Sequence, residues 1–308
     1  MDVRDMVLGI DIGGTNLRLG LVDRSHKLFG FCRYGTQQVF EATYHPTERL
    51  AAYIRAYLAE QGAQGMPRVI SIGFPATIDK SRTMVTQTPN IDCLPDNYAV
   101  ARELQDILKI PVCIDRDVNN LLLFDMEDLG IPADCTVCGI YFGTGIGSAI
   151  MIDGKILLGK NGTAAELGHI PVVGNSRRCV CGNIGCVETL ISGGALEHIQ
   201  AERFPGTPIN RLFRDHRDAG ELQKFVAGMG QVAATEINLI DPDFLILGGG
   251  LLQMEDFPKE ALEKAIFTYT RKPYPAENLQ IRYTRSEQSN GVIGAAIGAE
   301  KRTSTPVA

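Results

Sequence analysis

No apolar stretch in these 308 residues reaches the ~20 positions a membrane-spanning helix needs, so a membrane-embedded chain is not expected. The opening residues MDVRDMVLGID contain no apolar core of a secretory signal. Basic residues are the minority, 30 Lys and Arg against 36 Asp and Glu, giving a net charge of −6. That balance disfavours sequence-blind binding to nucleic acid or to an anionic membrane. The chain also lacks the G-x-G-x-x-G fingerprint of a dinucleotide fold and the Walker phosphate loop. There is no low-complexity linker. What remains is a globular composition, 44% hydrophobic and 21% charged, long enough for one large or two ordinary domains. Glycine is plentiful at 33 residues, which predicts several tight turns or backbone loops that face a ligand.

The densest chemistry lies in ELGHIPVVGNSRRCVCGNIGCVE, residues 166–188. His169 is followed by Cys179, Cys181 and Cys186. Three thiols and one imidazole make the closed four-ligand set of a structural Zn²⁺ site. Gly182 and Gly185 can take positive φ, which lets a short loop fold around an ion. Two carboxylates, Glu166 and Glu188, bracket the cluster, so a bound zinc would fix where both acids point. The plainer reading makes these cysteines small buried apolar residues. Three of them within eight positions, beside a histidine, argue against it. The remaining five, Cys32, Cys93, Cys113, Cys135 and Cys138, read as core thiols. Such usage fits a reducing cytoplasm.

The chain opens with MVLGIDI, a short apolar run that ends near Asp11, and continues through GGTN, LRLGLVD and KLFGFCRY as an antiparallel meander. The turn at Gly13–Asn16 can offer backbone N–H groups and a hydroxyl to phosphate, and Asp11 suits water or Mg²⁺. A plain hairpin would look the same. Residues 46–61 have Pro46 at a first turn and helical spacing. The strand RVISIGFPATID leads into the stiff turn Gly73-Phe74-Pro75, and a Pro/Asn loop then carries Asn90. After a helix over 100–108 and a strand over 111–115, Asp117 opens another helix directly after a strand. It is either a helix cap or a ligand-facing acid at a strand end. Residues 135–157 form a second Gly-rich hairpin, Gly143-Thr144-Gly145-Ile146-Gly147, about 130 residues after the first. The pair suggests two related lobes gripping one phosphate chain. Helices follow over 192–204 and 221–240. The strand DPDFLILGGG then ends in Gly248, Gly249 and Gly250, open floor for a flat ring such as adenine. A helix over 257–272, a strand over 279–286 and a small-residue helix over 290–302 complete the chain.

Taken together, DIGGTN, GFPATID, RDVN, GTGIG, ELGH, CVCGNIGCVE and LGGG resemble, in order, the motifs of the ROK family of sugar kinases. They run from residue 11 to 250, with the zinc motif the most specific; DIGGTN is shared with the wider actin-like ATPases. The resemblance implies an actin-like ATPase (ribonuclease H-like) α/β fold of two domains around a nucleotide and sugar cleft. It divides the chain into residues 1–115 plus 291–308 and residues 116–290, the latter carrying the zinc loop. It implies ATP-dependent phosphorylation of a hexose at O6, with ATP, Mg²⁺ and structural Zn²⁺ as cofactors, and a homodimer. By the same resemblance Asp117 is the catalytic Asp, the general base, and Asn90, Arg116, Asp117, Glu166, His169 and Glu188 lie at the sugar, His169 also serving the zinc. Gly9, Ile10, Asp11, Ile12, Gly13, Gly14, Thr15 and Asn16 form one phosphate hairpin. Gly143, Thr144, Gly145, Ile146, Gly147, Ser148, Ala149 and Ile150 form the other.

One position departs from the family pattern: Arg116 stands where Asn usually precedes the catalytic Asp. That puts glucose in doubt. In the RDVN variant and the GFPA segment the chain most resembles family members that act on D-allose, and the resemblance implies that sugar, with another hexose or N-acetylmannosamine as alternatives. Family members also include sugar-sensing repressors with a DNA-binding helical domain before the core. Only about ten residues precede Asp11 and the net charge is negative, so a kinase is expected over a repressor. A filament-forming actin-like ATPase is disfavoured by the zinc cluster.

Overall fold

A computed structural model gives the fold and describes residues 1–40, 45–88, 91, 94–285 and 287–304. Contacts divide the chain into two compact units: residues 1–130 with 158–164 and the stretch from 287 onward, and residues 131–157 with 165–286.

The first unit is built on a five-stranded sheet. Its strands are β1 (Val7–Ile12), β2 (Asn16–Val22), β3 (Leu28–Gly35), β4 (Val69–Phe74) and β7 (Val112–Arg116), in the order β3-β2-β1-β4-β7. β1 pairs antiparallel with β2 and parallel with β4, and β4 pairs parallel with β7. A small hairpin of β5 (Thr77–Ile78) and β6 (Val85–Gln87) stands apart. Helices α1 (Thr36–Val39), α2 (Pro46–Glu60), α3 (Val100–Leu108), α4 (Asp117–Asp128) and α10 (Asn290–Ser304) complete the unit. Pro46 opens α2, where its missing N–H costs nothing. The β period of two sorts the residues of β1. Leu8 and Ile10 join a core with Leu50, Ile54, Tyr57 and Leu104, while Val7 packs with Val292 and Ala296 of α10. α10 also lies close on α4. A Cβ on Gly294 would stand 2.0 Å from the Asn120 carbonyl oxygen, so only glycine permits that crossing.

The second unit repeats the plan. Its strands are β8 (Val137–Phe142), β9 (Ile146–Ile152), β10 (Lys155–Ile156), β11 (Phe244–Gly248) and β12 (Gln280–Tyr283), in the order β10-β9-β8-β11-β12. β8 pairs antiparallel with β9 and parallel with β11, which pairs parallel with β12. The helices are α5 (Glu188–Ile191), α6 (Gly193–Arg203), α7 (Leu212–His216), α8 (Gly220–Ile240) and α9 (Lys259–Tyr269). Ser192 caps α6 by accepting the Ala195 N–H. A second core joins Ile140 and Phe142 to Phe213, Phe225, Met229 and Ile266. The two sheets share one strand order and one pattern of sense, the duplication that two matching hairpins lead one to expect. Among the described residues, no helix is long and apolar enough to cross a membrane.

Candidate active site and metal centre

The first hairpin turns at Gly13, Gly14 and Thr15. Gly13 N–H donates to the Asn16 carbonyl at 2.8 Å. Thr36, opening α1, braces the turn from behind: its N–H reaches the Thr15 carbonyl at 2.9 Å and its Oγ1 the Gly13 carbonyl at 2.6 Å. Gly14 and Thr15 are exposed. The second hairpin has the same design. Gly143 N–H donates to the Gly145 carbonyl at 3.0 Å, and the start of α6 braces it, with Gly193 N–H on the Gly143 carbonyl at 2.8 Å. Ile10, Ile12, Ile146, Ala149 and Ile150 bury their side chains in the sheets, so only their backbone could meet a nucleotide. Gly9 has its Cβ side against Val292 of α10. The Ser148 hydroxyl belongs to a different partner, the buried Glu236, at 2.7 Å.

The glycines after β11 differ from one another. A Cβ on Gly248 would meet Tyr141 and Thr284 at 2.8 and 2.9 Å. On Gly249, with φ +98°, it would lie 2.3 Å from the Phe142 carbonyl oxygen. Only Gly250 of the three faces open space, so two of the expected floor positions are packing positions instead.

In the first unit Asp11, Gly73 and Asp115 lie side by side across β1, β4 and β7. A Cβ on Gly73 would stand 3.4 Å from the Asp117 Cα and 3.8 Å from Asp11 Oδ1. A Cβ on Gly291 would stand 2.6 Å from Asp11 Cγ. Two acids therefore converge on a floor kept clear by glycine. Burial pushes the Asp11 carboxyl up from its ordinary pKa, against the pull of Arg18, whose Nη1 is 3.1 Å from Oδ2. Asp117 is the first residue of α4, and Arg116 occupies the cap position without a side-chain cap. Asp117 Oδ1 accepts the Val118 N–H at 2.8 Å. Arg116 is buried at 7% exposure, and its Nη1 donates to the Ala164 carbonyl at 2.8 Å. Asn90 lies outside the described residues.

In the second unit the Glu188 carboxylate accepts the Ile146 N–H at 2.7 Å. It is pinched between two glycines: a Cβ would stand 2.5 Å from Oε2 on Gly145 and 3.1 Å on Gly168. Glu166 stands three residues before His169, and its Oε2 is 3.7 Å from His169 Nε2. The other ring nitrogen, Nδ1, faces Cys179 Sγ at 3.6 Å, and Cys181 Sγ is 3.7 Å from Cys186 Sγ. All four ligand atoms lie within 4.8 Å of one another. A tetrahedral Zn²⁺ with ordinary Zn–S and Zn–N bonds has ligand–ligand edges of ~3.5–3.8 Å, so the set fits the ion. The loop is shaped by Gly182 at φ +95° and Gly185 at φ +90°. Gly185 N–H reaches the Arg177 carbonyl at 2.9 Å, and Asn175 Nδ2 holds the Cys186 carbonyl at 3.1 Å. Burial and then the neighbouring thiols push the Cys186 thiol up to about 12, a cost that a bound dication would reverse. The carboxylate behind the imidazole is the usual orienting partner of a metal-bound histidine.

The duplicated sheet with a glycine hairpin in each copy is the actin-like ATPase fold. Within that class, residues 7–302 match the ROK family, and the chain belongs to it. An N-acetyl-D-glucosamine kinase of Pectobacterium carotovorum subsp. carotovorum (strain PC1) is 25% identical over 313 residues, covering 95% of this chain and 98% of that protein. An N-acetylmannosamine kinase of Vibrio cholerae serotype O1 (strain M66-2) is 28% identical over 265 residues, covering 84% of this chain and 88% of that protein. A ROK family glucokinase from Streptomyces griseus, solved in complex with glucose and AMPPNP, superposes with a TM-score of 0.78 at 25% identity. That match covers 96% of this chain and 99% of the other.

Proposed function

We propose that this protein is an ATP-dependent kinase that phosphorylates the 6-hydroxyl of a hexose, with D-allose as the preferred sugar. The observation that carries the reading is Asp117, held at a strand end beside Asp11 over a floor of glycine. Phosphoryl transfer asks for an acceptor oxygen in line with the γ-phosphorus and for little covalent work by the protein. Asp117 would accept the proton of the sugar hydroxyl, a general-base role worth ~10²–10⁴ in rate. Glu166 and Glu188 would bind ring hydroxyls, and the two braced hairpins would offer N–H groups to phosphate. Asp11, a half-buried carboxylate that a cation would favour, would hold hydrated Mg²⁺. The zinc set has no open position, so its contribution is to hold His169 and the glutamates in place.

The allose reading rests on Arg116 and the motif around it. Arg offers five donors and no acceptor where the family pattern has Asn, and here it is buried rather than solvated. Allose differs from glucose only in the axial C3 hydroxyl. A pocket that bonds that hydroxyl leaves polar groups unpaired when the epimer enters. The second reading is an N-acetylhexosamine kinase, favoured by the relatives in sequence. The test is kcat/KM for allose, glucose, mannose, N-acetylglucosamine and N-acetylmannosamine, measured by sugar-dependent ADP release. We expect allose to exceed glucose by roughly ten- to a few hundredfold, a difference that Arg116→Asn narrows. Asp117→Asn should lower kcat ~100-fold or more while sugar binding persists. An N-acetylhexosamine as best substrate selects the second reading. ADP release with none of these sugars refutes the kinase.

A further inference from the structure

Asp115 lies in β7, two residues before the proposed base, and it is only 6% exposed. Its Oδ1 accepts the Arg116 N–H at 2.7 Å and Asn119 Nδ2 at 2.7 Å, and lies 3.1 Å from Arg82 Nη1. Its Oδ2 pairs with Arg302 Nη2. Arg302 Nη1 in turn donates to the Ile114 carbonyl at 2.9 Å. All of these contacts end on residues 114–119, the strand–helix turn from which Asp117 projects, the one from Arg82 as an ion pair without hydrogen-bond geometry. We propose that Arg82 and Arg302 are positioning residues for Asp117, acting through the buried carboxylate of Asp115.

The loop that delivers Arg82 is built for the purpose. Asp79 accepts the N–H groups of Ser81, Thr83 and Met84 at 3.2, 2.9 and 2.7 Å. Arg82 itself takes φ +59°, a left-handed conformation that an arginine adopts only when its surroundings impose it. The outer side of the loop is covered by the segment 158–164. There a Cβ on Gly162 would stand 2.2 Å from the Ile78 carbonyl oxygen. So the guanidinium is turned inward to 7% exposure. Burial holds the Arg82 pKa below its ordinary value, with Asp115 pulling the other way and Arg302 and Arg116 adding to the loss.

A buried pair of this kind is a poor source of stability, because desolvating the ions offsets most of their attraction. What it provides is geometry. Two cations from distant parts of the chain converge on one acid, and that acid ties down the backbone N–H next to Asp117. The cap residue of α4, Arg116, makes no side-chain cap, and Asp115 holds the Arg116 N–H and the Asn119 side chain on either side of Asp117. Misplacing a reacting group by about 1 Å can cost ~100-fold in rate.

The inference rests on Asp117 being the base. The test uses the full chain with Arg82→Met, Arg82→Lys and Arg302→Met. The readouts are kcat and KM for the best sugar, sugar Kd, and amide hydrogen exchange. Both methionine variants should lose ~10- to 100-fold in kcat with KM and Kd within threefold. Exchange should quicken at residues 115–119 and stay unchanged in the strands of the sheet. The lysine variant should recover at least a third of the lost turnover, since it restores the charge. Uniform exchange quickening with kcat per folded molecule within twofold of wild type overturns the proposal. If Arg82→Met does not fold, Asp115→Asn replaces it, and a kcat within twofold there overturns it equally. Absence of turnover by the wild type with every sugar is a separate outcome, which refutes the kinase reading instead.

Discussion

Replacing Gly145 by alanine would test the placement of Glu188 with a single methyl group. The new Cβ would lie 2.5 Å from Glu188 Oε2 and 3.2 Å from its Cδ. Ordinary carbon–oxygen contact needs ~3.3 Å or more, so the carboxylate must withdraw by close to 1 Å. Withdrawal stretches the Ile146 N–H bond from 2.7 Å to beyond hydrogen-bonding range. A bond to a charged acceptor contributes about 1.5–3 kcal/mol, some of which water recovers. For a protein of this size we expect the melting temperature to fall by roughly 2–8 °C. If Glu188 binds a sugar hydroxyl, Kd should weaken by roughly ten- to a hundredfold, because a second charged bond is misplaced. Gly143→Ala is the control. It lies in the same hairpin but meets nothing within 4 Å, so sugar affinity should hold within twofold. Calorimetric titration of the sugar and thermal melts of both variants decide the matter. Unchanged sugar affinity in Gly145→Ala would show that Glu188 has no part in binding, and an unchanged melt would show that it is not pinned as described.

Elemental analysis should find one zinc per chain, and strong chelation should lower the melting temperature and weaken sugar binding together. Zinc-free protein with full affinity would refute the supporting role. Metal uptake should also weaken as pH falls, since the Cys186 thiol must give up its proton. His26 bridges Glu127 and Glu300. Burial opposes its charge, but the two carboxylates outweigh it and raise the pKa above the ordinary 6.5. Its stabilisation is therefore complete below about pH 6.5 and is lost as pH rises through the folded pKa. His26→Gln should cost about 0.5–1 kcal/mol at pH 6 and nothing measurable at pH 9, by denaturant titration. An equal cost at both values would sink the assignment.

Period and punctuation made most of the fold legible. The apolar run of β1, the glycine turn between it and β2, Pro46 at the head of α2 and the helical spacing of α8 each place an element within a residue or two of its observed bounds. The short α1, α5 and α7 were not expected, because four or five residues carry no readable period. That His169, Cys179, Cys181 and Cys186 would meet was legible because ligand type and spacing are local. The Arg82–Asp115–Arg302 cluster was not, because its members meet from three places in the chain. Arg82 stands in DKSRT, which reads as a solvated turn. Nothing local shows that Asp79 folds that turn so as to send the arginine inward. The triple glycine after β11 misled in part for the same reason: close packing on Phe142 and open floor leave the same letter in the sequence.

The zinc set answers a problem that the duplicated sheet does not solve. Between the end of β10 at Ile156 and the start of α5 at Glu188 run about thirty residues, in which a three-residue turn of 3₁₀ helix is the only regular helix or strand among the described residues. Ordering each such residue costs about 1–2 kcal/mol of conformational entropy. A loop of this length places little apolar area in a core, and Val173, Val180 and Ile184 are exposed. Yet it carries Glu166 and His169 and ends at Glu188, three side chains that must hold fixed directions if they are to read hydroxyl positions. A Zn²⁺ bound by the four would contribute on the order of 10 kcal/mol to the loop's fold. Its ligands fall at the middle and far end of the loop, so they close it into short segments, each with little freedom left. His169 spans the two tasks: Nδ1 faces the thiols and Nε2 faces Glu166. A displacement of the metal would reach the acid through one rigid ring, whereas Asp11 and Asp117 of the first unit stand directly against glycine, Gly73 for both and Gly291 of α10 for Asp11.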